Sequence, residues 1–174
     1  MHDDLFAQAE TLAKIDPKKP KQVNLRKGVS SAYYAVFHFL VHETCCVHFG
    51  SQHAQAPYRH VVGRAFVHGV MKQACVSFAG GNLKDAVIKG LPRNGAGKYV
   101  IPEAIRRLAL TFVELQEKRH RADYDRSERF KRLDVLELIA EAKDRVAEFT
   151  ALPMTDEKKF FLACLWAWKE LTNR

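Results

Sequence analysis

From Val23 to Phe49 the chain reads VNLRKGVSSAYYAVFHFLVHETCCVHF, and Gly28 is the one residue in it that disfavours a helix. A run of that length without a breaker predicts a long helix, and a long helix must bury one stripe against others. The rest of the chain follows the same period. DDLFAQAETLAKI predicts a first helix, ended by DPKKPK, whose prolines and lysines form a loop. Further helices are expected over roughly 58–79, 102–122 and 126–149, and a last one in FFLACLWAWKEL, where Phe161, Leu165, Trp168 and Leu171 share a side. No segment alternates convincingly as a strand would. The expectation is an all-α protein, an antiparallel helical bundle with additional terminal helices. It forms one domain over 1–174, with a core at about 22–149 and a C-terminal docking helix at about 156–172.

Composition narrows the partners. Hydrophobic residues make up 47% of the 174 and charged residues 28%, a balance that folds and stays in solution. The formal net charge of +8 points to a polyanionic partner, either nucleic acid or an anionic membrane surface. No apolar run is long enough to span a membrane, and the acidic start MHDDLFAQAE lacks the order of a signal peptide. Cys45, Cys46, Cys75 and Cys164 follow no disulfide spacing and read as thiols in a reducing compartment, so a cytoplasmic location is expected.

Half of the net charge gathers in KRHRADYDRSERFKR, residues 118–132, where seven Lys/Arg meet three Asp/Glu. Ile105, Leu108, Phe112 and Leu115 step by three and four, and the rhythm continues to Arg119 and Ala122, so Arg119 points the way the core points. An arginine so placed lies at the end of the bundle, meets a partner, or lines a site. Asp125, with Glu128 three residues on, has the pattern of a capping box opening the fifth helix. On the second helix Arg26, Ser30, Tyr34, His38 and His42 are spaced by four, and Tyr34 and His38 are the members expected to line a polar strip.

Other motifs are weaker. NGAGK has Pro92 where a phosphate loop requires its first glycine and Tyr99 in place of Ser/Thr, and Lys84, Lys89, Arg93 and Lys98 read as cations of a solvated loop. His38 and His42, with Glu43, have no evident third ligand, so neither a metal nor a cofactor is assigned. The closing aromatic helix is expected to dock on protein and not on a membrane.

LRKGVSSAYYAVFHFL followed by RHRADYD resembles the HEPN superfamily, over roughly residues 22–149. The resemblance implies an antiparallel bundle, usually dimeric, with its motif at the dimer cleft, and roles in RNA cleavage, toxin–antitoxin and antiviral systems, or nucleotide binding. Catalytic members have an Arg followed after four to six residues by His; here Tyr124 stands at the fifth position after Arg119. Tyrosine, with a pKa of about 10, is a poor base at neutral pH. Carried over residue by residue, the resemblance makes Arg119, Tyr124, Asp123 and His38 the catalytic candidates. Arg26, Tyr34, Lys118, Arg121, Arg126 and Arg129 become the nucleic-acid-binding candidates. The implied partners are RNA or nucleotide, a second copy of the chain, and a nucleotidyltransferase-type antitoxin for which Tyr124 is a candidate acceptor. Three readings stay open: a metal-independent endoribonuclease, a module that binds RNA or nucleotide without cleaving, and a scaffold or immunity partner.

Overall fold

The computed structural model describes residues 1–81, 83–90 and 100–173, and every helix or strand assignment among them is helical. The helices are α1 (His2–Lys14), α2 (Gln22–Phe49), α3 (Ala56–Gly63), α4 (His68–Gly80), α5 (Asp85–Ile88), α6 (Glu103–Tyr124), α7 (Arg132–Ala151) and α8 (Asp156–Thr172), with a single 3₁₀ turn at His53–Gln55. The all-α class is therefore as the sequence predicts. The NGAGK stretch, Arg93 and Lys98 lie outside the described residues. No helix among the described residues is long and apolar enough to cross a membrane.

Two boundaries differ from the sequence reading. The single helix expected over 58–79 is two helices, α3 and α4. Val67 is extended at φ −113° and ψ 122°, and Phe66 beside it is buried, so a core anchor and a β-branched residue break the helix between them. The fifth helix starts at Arg132 and not near 126. Asp125 does not cap it: the carboxylate accepts from the Ser127 N–H at 2.8 Å and the Ser127 hydroxyl at 2.6 Å. That local turn competes with helix initiation and wins. These bonds, the hydroxyl's first, hold the Asp125 carboxyl below its usual range.

The chain packs as two compact units, Met1–Phe39 with Thr111–Ala147, and Leu40–Leu110 with Glu148–Arg174. In the first, the apolar stripes of α1, α2, α6 and α7 meet around the fully buried Leu25, Tyr33, Phe112, Leu115 and Ile139. Gly28 lets α1 and α7 come close to α2: a Cβ there would sit 3.2 Å from the Ala9 carbonyl and 3.5 Å from Val135. Neighbouring helices run antiparallel. Ascending α2 meets descending α1 (Gly28 with Ala9, Phe39 with His2) and descending α6 (Arg26 with Ala122, Tyr33 with Phe112).

The second unit is organised by α4 against α8. The Phe78 ring lies 4.9 Å from Phe161 and 6.4 Å from Trp168, and Phe149 adds its edge to Phe161 at 5.9 Å. Lys158, buried at 3% exposure, donates its ammonium hydrogens to the Phe149 carbonyl at 2.8 Å and the Leu152 carbonyl at 3.0 Å, closing the end of α7. Burial lowers its pKa, while Glu43 opposes the shift.

Candidate functional site around Arg119

Because α2 and α6 run antiparallel in the first unit, side chains spaced by four near the start of α2 meet the last turns of α6 and the connection after it. Three of them do so. Arg26 donates from Nη1 to the Ala122 carbonyl at 2.7 Å and from Nη2 to the Asp125 and Glu128 carbonyls at 2.8 and 2.7 Å. Ser30 donates its hydroxyl to Asp123 Oδ1 at 2.9 Å. The Tyr34 hydroxyl oxygen accepts from Arg119 Nη2 at 3.1 Å.

Arg119 sits at the centre of this strip. Its side chain is 26% exposed, and Nε lies 2.7 Å from Asp123 Oδ2, one helical turn along. That contact is an ion pair without a directed hydrogen bond, since the buried Nε–H is not aimed at the oxygen. Three aromatic rings frame the guanidinium: Tyr34 at 5.6 Å, Tyr33 at 6.0 Å and Tyr124 at 6.0 Å from its central carbon. Tyr33 is wholly buried and holds one face, whereas Tyr124 is 66% exposed. An arginine has five N–H donors, and Nη1 finds no acceptor among the described residues. A positive, planar group is thus fixed by a carboxylate, a hydroxyl and aromatic faces, with donors left over.

The other candidates divide by role. Arg26 works as a clasp on the α6 C-terminus; its donors go to main-chain carbonyls and leave little for a phosphate. Arg132 does the same for α1, donating to the carbonyls of Ala13 at 3.0 Å, Asp16 and Pro17. Lys118 and Arg121 share a groove with Glu114, Glu117, Asp134, Glu137 and Glu141, and Arg121 pairs with Glu128 at 3.5 Å. Their charge is largely met by carboxylates. Arg126, Arg129 and Lys131 are exposed and make no ion pair among the described residues, so they are the cations of the cluster open to solvent.

His38 stacks on Tyr34 with ring centroids 6.3 Å apart, and its other neighbour is the Phe37 ring at 5.3 Å. Burial lowers its pKa below 6.5, so the imidazole is neutral at pH 7. His48, in the second unit, is shifted the same way by burial. Well above pH 6.5 neither histidine binds a proton in the folded or the unfolded chain. As pH falls below that value the unfolded chain protonates first, and stability is lost down to the folded pKa. Urea midpoints are therefore expected to decline between pH 7 and pH 5, and less steeply in His38→Gln; an equal decline in that variant would remove His38 from the effect.

Sequence reasoning made neither Tyr33 nor His120 a site candidate. Tyr33 reads as plain core in AYYA, and only the ring contact shows that it supports Arg119. His120, which helical geometry turns away from Arg119, places its ring 4.9 Å from Tyr124. In the second unit, His42 and Cys46 approach to 3.5 Å, and among the described residues no three His, Cys, Asp or Glu side chains gather as a metal set. No family model, no curated protein and no solved structure matches this chain.

Proposed function

We propose that the protein is a HEPN-like RNA-binding protein whose first unit takes an RNA phosphate on Arg119, with the exposed ring of Tyr124 beside it for a base. The observation that carries the reading is the framed guanidinium: Arg119 is held by Asp123 and Tyr34, lies within 6.0 Å of three tyrosine rings, and still has donors at Nη1. A structural arginine in this chain looks different, as Arg26 shows by spending its donors on carbonyls. A planar fork suits phosphate, and exposed aromatic rings suit unstacked bases of a single strand. Arg126 and Arg129 supply the longer-range attraction.

Metal-independent cleavage is a second reading, favoured by the neutral imidazole of His38 next to Tyr34. His38 would take the proton of a 2′-hydroxyl as its oxygen attacks the adjacent phosphorus, with Arg119 stabilising the charge and the 5′-oxygen leaving with a proton from water. The products would be a 2′,3′-cyclic phosphate and a 5′-hydroxyl end. The resemblance also carries a homodimer, a nucleotidyltransferase-type antitoxin and a cytoplasmic setting; a monomeric mass in light scattering would remove the dimer.

The test uses labelled single-stranded RNA with EDTA present, comparing wild type, Arg119→Ala, Tyr124→Phe and His38→Ala for both binding and product. Binding lost in Arg119→Ala supports the assignment, and cyclic-phosphate product that disappears in His38→Ala adds the nuclease reading. RNA binding and cleavage unchanged in all three variants would sink the site.

A further inference from the structure

Charge divides unevenly between the two units. The first holds fifteen Lys/Arg against thirteen Asp/Glu, a formal +2, and the second thirteen against seven, which is +6 of the chain's +8. From residue 44 to residue 84 the sequence contains no Asp or Glu, while Arg59, Arg64, Lys72 and Lys84 fall within it. Along the α4–α8 pair this surplus coincides with an open groove lined by Lys72, Gln73 and Ser77 of α4, by Lys169 and Asn173 at the end of α8, and by Lys84. Among the described residues no carboxylate lines it. The groove along α6 and α7 in the first unit has the opposite character, with five carboxylates.

We propose that the α4–α8 groove is a phosphate-binding track for a single-stranded nucleic acid. It belongs to the second unit alone and does not rest on the Arg119 reading. Three lysines along one groove with no carboxylate among its described lining side chains favour an anion there, and lysine as a flexible point charge suits a phosphodiester backbone bound without sequence preference. Gln73, Ser77 and Asn173 add neutral donors for phosphate or sugar oxygens. A protein partner would call for a different surface: interface cores are depleted in lysine and anchored by aromatic side chains. Here the aromatic residue that lines the groove, Trp168, is 3% exposed and committed to the Phe78 ring.

The test titrates labelled oligouridylate across a salt series with wild type, with Lys72, Lys84 and Lys169 together changed to Gln, with the same three changed to Glu, and with Arg119→Ala. Circular dichroism confirms that each variant is folded. The Gln variant is expected to lower the steepness of the log K against log salt plot by about 2, at about 0.7 for each phosphate of a single strand that is no longer neutralised. The Glu variant is expected to lose more affinity than the Gln variant at every salt concentration. Slope and affinity equal to wild type in both triple variants would overturn the track, and if Arg119→Ala alone then lost binding, the Arg119 reading would still stand. Loss in the triple variants with Arg119→Ala unaffected would keep the track and remove the other site. Oligothymidylate bound as tightly as oligouridylate shows a backbone track indifferent to the sugar. Polyglutamate competing as effectively as either would reassign the groove to an acidic polypeptide and overturn the proposal.

Discussion

Arg119→Ala is expected to weaken RNA binding by about 10- to 100-fold at low salt, the worth of a charge-assisted hydrogen-bonding group at roughly 1.5–3 kcal/mol. Arg119→Lys is expected to fall nearly as far, which separates this residue from the solvent-facing cations around it. The surroundings of Arg119 are built for a plane: the rings of Tyr33, Tyr34 and Tyr124 lie within 5.6 to 6.0 Å of the guanidinium carbon, and Tyr34 receives one Nη2 hydrogen. An ammonium keeps the charge but neither stacks as a plane nor offers two parallel donors to a phosphate. The fold is expected to survive, because the side chain is 26% exposed and Asp123 keeps its bond from Ser30 when Arg119 is gone. Fluorescence anisotropy with labelled RNA measures the affinities, and circular dichroism checks the fold. If Arg119→Lys bound like wild type, Arg119 would be one more point charge in a diffuse field, and the framed guanidinium would lose its meaning. If Arg126 and Arg129 act only at long range, their Gln variants should lower the salt dependence with less effect on affinity at high salt.

The helical class and the direction of Arg119 were legible because both follow from apolar spacing, and spacing is a property of the sequence alone. Ile105, Leu108, Phe112 and Leu115 are buried, and the same rhythm brings Arg119 against Tyr33. The ends of helices were harder. Asp125 and Glu128 have the spacing of a capping box, yet a hydroxyl two residues away captures the carboxylate, and the choice between two local hydrogen-bond patterns turns on the backbone path that follows. Phe66 broke an expected helix for a similar reason, since burial of one ring outweighed the continuation of a helical run.

Cation roles were the least legible. Lys118, Arg121, Arg126, Arg129 and Arg132 look alike in KRHRADYDRSERFKR, and the structure places them among carboxylates, in solvent, or against the carbonyls of α1. Those carbonyls lie more than a hundred residues away in sequence and are the same in every residue type, so no side-chain pattern announces them. The +4 of this segment consequently overstated the charge of its surroundings: the first unit as a whole carries only +2.

Arg26→Ala is expected to be the most destabilising single change in the candidate site, lowering stability by about 2–3 kcal/mol. The last carbonyls of a helix have no intrahelical partner. At the end of α6 the Ala122 carbonyl is met by Arg26 Nη1 at 2.7 Å, and in the connection that follows, the Asp125 and Glu128 carbonyls are met by Nη2 at 2.8 and 2.7 Å. The guanidinium also packs over the Phe130 ring at 5.7 Å, so one side chain fixes both the helix end and the turn that leads to α7. Truncation leaves part-buried acceptors that water satisfies only in part. Lysine is expected to recover less than half of the loss, since a single nitrogen cannot hold carbonyls that two nitrogens of a rigid fork now reach. Asp125→Ala makes the contrast: its exposed carboxylate is held mainly by Ser127, and the urea midpoint should stay close to wild type. Urea denaturation followed by circular dichroism gives the midpoints, and hydrogen exchange at the amides of 119–124 locates the change. Arg26→Ala should raise exchange there and weaken RNA binding as well, because Asp123 and Arg119 are carried on the turn of helix that Arg26 secures. Wild-type exchange and stability in Arg26→Ala would show that α6 ends where it does without the clasp, and Arg26 would return to the pool of residues available to a phosphate.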